Sequence, residues 1–194
     1  KRSEIVSDII QKIKKNKNKA LIKYSNELEN NNFKNVNSLR VTPKEISNAL
    51  SQCSQAFHNS IKLAVQRIMS YQKKLMPKNL YYKDELGIKL GSIWSPLESC
   101  GLYVPGGKAL YPSSVLMNAI PAKVAGVKRI VITTPANNNL LSPEILVAAN
   151  ALGISEIYKI GGAQAVAALT FGTESIQRVD KVVGPGNSFV TEAK

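Results

Sequence analysis

The chain is short of the residues that most often carry chemistry. Its 194 residues include one histidine, His58, and two cysteines, Cys53 and Cys100. Two cysteines are too few for a disulfide framework, and their separation matches no metal or redox motif. They read as buried free thiols in a reducing cytosol. A single histidine beside Phe57, on a stretch of helical periodicity, reads as a surface or packing residue. Asp180 and Glu174 have no partner at acid–base spacing, so neither is assigned a catalytic role. No apolar run approaches the roughly 20 residues of a membrane span. The start, Lys1-Arg2-Ser3-Glu4, leads into charged helix rather than the apolar segment of a signal peptide. A start at Lys rather than Met suggests missing residues upstream. Neither a Gly-x-Gly-x-x-Gly fingerprint nor a Walker A loop is present.

Acid is scarce as well. The chain carries 26 Lys and Arg against 13 Asp and Glu, a net charge of +13. The imbalance sits in residues 1–90, with 18 basic and 7 acidic side chains, against 8 and 6 in the remainder. A basic half can mark a nucleic-acid or anionic surface. Here the lysines are interleaved with asparagine, as in Lys14-Lys15-Asn16-Lys17-Asn18-Lys19, without aromatic residues to stack on bases. That pattern describes solvated helix faces, with neither nucleic acid nor membrane as a partner.

What the chain does have is order. Residues 1–100 read as mainly helical, with a small antiparallel piece. Ile5, Val6, Ile9, Ile10 and Ile13 share one helical face, and Ala20, Leu21, Tyr24 and Leu28 continue it after a lysine-asparagine break. Asn30-Asn31-Asn32 makes a loop. Thr42-Pro43-Lys44-Glu45 is a capping box with proline at the first helical position. It predicts a long helix ending near Pro77, with Phe57, Ile61, Ala64, Val65 and Ile68 as its buried stripe. Around residues 81–83, 87–90 and 93–95 the pattern turns to short strands, with turns at Asp84-Glu85 and Pro96. Trp94 and Tyr111 read as packing residues, though Tyr111 lies close enough to the first glycine turn to line a cleft.

Residues 101–194 alternate strand and helix. Strands are expected at 102–104, 129–133, 156–160 and 181–183, and helices at 113–125, 143–152, 163–171 and from 187 onward. Gly126, Gly153 and Gly172 close the first three helices, and Pro121 predicts a kink or break in the first. The fold class is α/β: a Rossmann-like parallel sheet layer, incomplete because the last helix is cut short at Lys194. This gives two regions, 1–100 and 101–194. Three glycine turns, Gly106-Gly107, Gly161-Gly162 and Gly184-Pro185-Gly186, each follow a strand and precede a helix. They should lie along one sheet edge, where glycine lets backbone approach a ligand and helix N-termini favour phosphate. A phosphorylated cofactor suits such an edge.

Four stretches are more specific: Gly101-Leu102-Tyr103-Val104-Pro105-Gly106-Gly107, the run from Tyr111 to Gly126, Gly161-Gly162-Ala163-Gln164-Ala165-Val166-Ala167-Ala168-Leu169, and Val179-Asp180-Lys181-Val182-Val183-Gly184-Pro185-Gly186-Asn187. Together they closely resemble the histidinol dehydrogenase family and cover nearly all of residues 100–194; the first hundred residues are similar mainly in the order of their elements. The resemblance implies an NAD-dependent, zinc-containing, cytoplasmic homodimer that oxidises L-histidinol to L-histidine in histidine biosynthesis. It implies NAD contacts at Tyr103, Gln164 and Asn187, with residues 101–194 as an incomplete NAD-binding domain. The family's zinc ligands and its Glu-His proton-transfer pair lie beyond the part this chain resembles. Residues 1–194 alone are therefore expected to be inactive. Other readings remain open: a relative acting on another alcohol, such as a sulfonated diol, and a non-catalytic remnant or basic binding module.

Overall fold

The computed structural model describes residues 2–106 and 111–194. Gly107, the second member of the first glycine pair, lies outside them. Four strands, β3 (Ser99–Tyr103), β4 (Arg129–Thr133), β5 (Ile157–Tyr158) and β6 (Lys181–Val183), form one parallel sheet in the order β5-β4-β3-β6. This is the first part of the Rossmann strand order, in which the direction of winding reverses beside the first strand, here between β3 and β6. β3 begins earlier than its apolar run suggests, and β5 is shorter.

Alternation along the strands feeds two separate cores. Cys100, Leu102 and Val104, with Ile132, face a core completed by α4 (Pro112–Val124) and α5 (Pro143–Ala151). Tyr103 and Val131 face the other core, filled by α6 (Gly162–Phe171), α1 (Arg2–Glu29) and α7 (Ser188–Ala193). The N-terminal helices are thus outer layers of the same sheet: α1 packs on α6 and α7, α2 (Pro43–Gln52) on α5, and α3 (Gln55–Lys74) on α4 and α5. Gly126, Gly153 and Gly172 end their helices at φ of 89°, 68° and 72°, which glycine adopts without a Cβ penalty. No helix among the described residues is long and apolar enough to cross a membrane.

Several local expectations need correction. The break in α1 falls at Lys17 (φ 44°, ψ −122°), and Val6, Ile9, Ile13, Ala20, Leu21 and Tyr24 are buried around it. Ile5 and Leu28, expected on the same stripe, are 51% and 57% exposed. The single long helix after Pro43 is two helices, α2 and α3. Ser54 starts the second by accepting from Phe57 N at 3.2 Å, and His58 Nε2 lies 2.9 Å from the Leu50 carbonyl oxygen at the end of the first. The only histidine therefore seals a helix junction. Of the expected stripe on α3, Ile61 is buried and the rest are half-buried. Cys53, in the junction, is half-buried rather than buried, whereas Cys100 is buried.

The antiparallel piece has two strands, β1 (Leu80–Lys83) and β2 (Lys89–Ser92), closed by Asp84 Oδ1 accepting from Leu86 N and Ile88 N at 3.0 and 2.8 Å. Residues 93–95 form no third strand, because Trp94 N donates instead to Asn79 Oδ1 at 2.9 Å. Trp94 and Tyr111, read as packing residues, are 62% and 39% exposed. Pro121 does not interrupt α4. It sits in the final turn, where one lost amide donor is tolerated, and its own carbonyl accepts from Ala125 N at 2.9 Å.

Candidate functional site

The strand-order reversal between β3 and β6 leaves a crevice at the C-terminal ends of the strands, the place where open α/β sheets bind ligands. A cavity of about 1120 Å³ opens there. Tyr103 and Gly106 line it from the end of β3, Gly162 and Gln164 from the start of α6, and Asn187 from the loop after β6. The three residues singled out from the sequence, Tyr103, Gln164 and Asn187, are thus brought to one cleft.

Their local states differ from one another. Tyr103 is only 3% exposed, and its ring belongs to the core, so no face is free for stacking. Its hydroxyl accepts from Gly162 N at 3.1 Å, tying the first turn of α6 to β3. Burial pushes its phenol up to about 12, with the Glu29 carboxyl adding to the shift and the Gly162 amide opposing it. The group is therefore a neutral hydroxyl that still has a proton to donate. Gln164 is 1% exposed; its Nε2 donates to Glu29 Oε1 at 3.2 Å while its Oε1 has no partner. Asn187 is exposed and caps α7, with Oδ1 accepting from Phe189 N and Val190 N at 3.0 and 3.1 Å. Its capping role and a ligand contact through Nδ2 are compatible.

Glu29 is the residue that sequence reasoning missed. It closes α1, lines the same cavity, and is separated from Gln164 by 135 positions, so no local motif connects them. One signal was available. An acidic residue in the last helical turn, with no basic residue there, opposes the helix dipole and asks for a reason. Desolvation pushes its carboxyl up to about 8, against a lowering influence from the Gly161 amide.

The glycines at this edge are also constrained from within the protein. A Cβ on Gly161 would lie 2.5 Å from Glu29 Oε1 and from Pro135 Cγ, and one on Gly162 would overlap the Gln164 amide. One on Gly184 would strike the Tyr103 carbonyl, and one on Gly186 the Val190 side chain. The space these glycines leave is filled by the protein's own atoms. They build the edge rather than open it.

Buried polar atoms without partners gather at this end of the sheet. Of the five such side-chain atoms among the described residues, Thr133 Oγ1, Thr134 Oγ1, Gln164 Oε1 and Glu29 Oε2 all lie at or near it. Such groups are costly to bury unbonded. Among the described residues, no group of three or more His, Cys, Asp or Glu could hold a metal ion.

A family model described as histidinol dehydrogenase matches residues 1–194. The chain is 51% identical over 189 residues to histidinol dehydrogenase of Agrobacterium fabrum, covering 97% of this chain and 44% of that protein. It is 50% identical over 190 residues to the histidinol dehydrogenase of Caldanaerobacter subterraneus subsp. tengcongensis, again covering 97% and 44%. The crystal structure of histidinol dehydrogenase from Elizabethkingia anophelis superposes on it with a TM-score of 0.94 at 37% identity, covering 100% of this chain and 44% of that one. The chain thus spans less than half the length of the relatives it matches.

Proposed function

The chain belongs to the histidinol dehydrogenase family, and from that premise we propose that it supplies the NAD-binding part of an enzyme oxidising L-histidinol to L-histidine. The observation that carries this reading is the gathering of Tyr103, Gln164 and Asn187 in one cleft at the strand-order reversal. The Gln164 amide, the Tyr103 hydroxyl and the Asn187 amide at that cleft suit a ligand rich in hydrogen-bonding groups, as a dinucleotide is. When bound, NAD supplies the hydride acceptor for two successive oxidations.

In this reading Gln164 and the Tyr103 hydroxyl orient the cofactor from the floor of the cleft, and Asn187 holds it at the rim. Residues 101–194 form an incomplete cofactor domain, and residues 1–100, whose helices lie on its sheet, are the helical part of a larger domain completed by the rest of the enzyme. The whole enzyme works as a cytoplasmic homodimer. Zinc belongs to the rest of the enzyme: the described residues offer no ligand set for it, so no step through the metal is assigned to them.

The test is a spectrophotometric assay of NAD reduction by the full-length protein, with L-histidinol and a sulfonated diol as separate substrates. Histidinol-dependent reduction is expected. Gln164→Ala and Asn187→Ala should raise KM for NAD by about tenfold, the size of one lost polar contact, with KM for the alcohol nearly unchanged. Equal loss for both substrates' KM, or turnover of the diol alone, would refute the assignment.

A further inference from the structure

Two side chains face each other beneath the Gly161-Gly162 turn, and each leaves one oxygen unbonded. Gln164 Nε2 donates to Glu29 Oε1 at 3.2 Å, while Gln164 Oε1 and Glu29 Oε2 are both buried without a partner. The backbone is shaped around this pair, since side chains at 161 and 162 would collide with the carboxyl and the amide respectively. With Glu29 as a carboxylate, the pair has one hydrogen bond and two stranded acceptors. One proton, taken from solvent, removes that deficit. A carboxylic acid and a primary amide are complementary across two bonds: amide N–H to one carboxyl oxygen, and carboxyl O–H to the amide oxygen.

We propose that Glu29 is a positioning residue for Gln164, holding it as a carboxylic acid–amide pair that fixes which way the amide faces and leaves its second N–H to a ligand in the cleft. The ligand's identity rests on the NAD reading; the pair itself does not. The surroundings favour the acid form. The carboxyl is pushed up to about 8 by burial, against a lowering influence from the Gly161 amide. α6 presents the uncharged Gln164, and the segment after β4 presents Pro135 and Asn137. The β3 end presents Tyr103, whose hydroxyl stays neutral well above this range. Among the described residues no cation contributes to stabilising its charge. Ionisation would set two negative oxygens against the amide oxygen and turn the amide from its place.

The test uses the full-length protein and three variants. Glu29→Gln keeps a two-bond pair, amide to amide, without a titrating proton; Glu29→Leu removes the pair; Gln164→Leu removes its other half. In ligand-free wild type, isotope-edited infrared spectroscopy should show a protonated Glu29 carbonyl band that disappears as pH rises through about 8, and whose frequency shifts in Gln164→Leu as its hydrogen-bond partner is lost. NAD affinity, measured calorimetrically, should fall about tenfold between roughly pH 7 and 9 in wild type, stay flat and strong in Glu29→Gln, and be about tenfold weaker throughout in Glu29→Leu. Rescue by glutamine but not leucine separates positioning from simple packing. The proposal is overturned if Glu29→Gln binds NAD as weakly as Glu29→Leu, or if the carboxyl ionises in the ordinary carboxylate range. Should Glu29→Leu not fold, the glutamine variant and the infrared titration decide the matter. Should wild type bind no NAD, the cofactor reading fails, and the pair is judged on the infrared band alone.

Discussion

The two ends of the parallel sheet are built on opposite terms. At the N-terminal end the strands are tied by side-chain hydrogen bonds. Asp180 accepts from Ser99 N and Ser99 Oγ, both at 2.8 Å, while its own N donates back to Ser99 Oγ at 3.1 Å, latching β3 to the start of β6. Arg129 forks onto Glu156 at 2.9 and 2.7 Å and reaches the carbonyls of Gln177 and Arg178, both at 3.0 Å. At the C-terminal end beside the cleft, Thr133, Thr134, Gln164 and Glu29 each keep a buried oxygen unbonded. One end spends its polar groups on holding strands together. The other leaves them unbonded, which costs stability unless Glu29 and Gln164 answer each other by sharing a proton. The acid groups carry the same contrast, with Glu29 raised by burial and Asp180 lowered by the Ser99 hydroxyl and amide.

The largest expected effect tests the cleft end by pH. The folded value for Glu29, about 8, stands above its ordinary value of 4.5. Between those values the unfolded chain has released a proton that the native state keeps, so stability falls as pH rises. The penalty is complete above the folded value. It should amount to a few kcal/mol at most, at about 1.4 kcal/mol per unit. Urea unfolding of wild type minus Glu29→Gln, followed from about pH 5 to 9, should trace this loss. A flat difference would remove Glu29 from the buried acids.

Next in size is the closed end. Arg129→Met keeps the aliphatic stem but strands the Glu156 carboxylate and two backbone carbonyls. Both side chains of the pair are 23% exposed, so solvent compensates only in part. A loss of about 2–3 kcal/mol is expected, read as a lower urea midpoint with unchanged slope. NAD affinity under native conditions should not move. If it does, the two ends are coupled, and the contrast between them is not one of separate tasks.

Thr133→Val should act in the other direction. Thr133 is fully buried with its hydroxyl unbonded, and valine fills nearly the same volume without a polar atom. A gain of about 1 kcal/mol is expected from chemical denaturation. The matching change at the closed end, Ser99→Ala, should cost about as much, because that hydroxyl both donates and accepts. Two hydroxyl deletions of the same sign would erase the distinction.

Much of this frame was legible in the residues. The strand–glycine–helix order predicted the parallel sheet and brought Tyr103, Gln164 and Asn187 to one edge, because period-two apolar runs and helix-ending glycines are local signals. Other features were hidden because they depend on distant partners. The break before Ser54 was an exception, a local signal passed over, since Ser54 caps its own helix at Phe57 N and His58 meets Leu50 only eight residues away. Glu29 becomes a buried acid only when α1 lies against α6. The sequence placed glycines at 161–162 and 184–186 on this edge but could not show that a Cβ there would meet Glu29, Pro135, Gln164, Tyr103 and Val190.

The smallest expected effect lies on the acid side of the closed end. Asp180 is lowered from its ordinary value of 3.8, chiefly by the Ser99 hydroxyl and then by the Ser99 amide. A carboxylate held low in the native state stabilises the fold above its unfolded value, and that contribution disappears as pH falls through the folded value. Wild type should therefore lose a share of stability below about pH 4 that Asp180→Asn never had. The variant's amide cannot accept from both Ser99 donors as strongly, so it should be the less stable protein at neutral pH, and the gap should close on acidification. Other lowered acids, Glu45 and Glu174, titrate in both proteins and cancel in the difference. Because Asp180 is at the surface, raised salt should shrink the gap, whereas the Glu29 effect, set by burial, should persist. A gap that widened with acid, or a Glu29 effect that vanished in salt, would mean that the two ends of the sheet do not differ in the way their hydrogen bonds indicate.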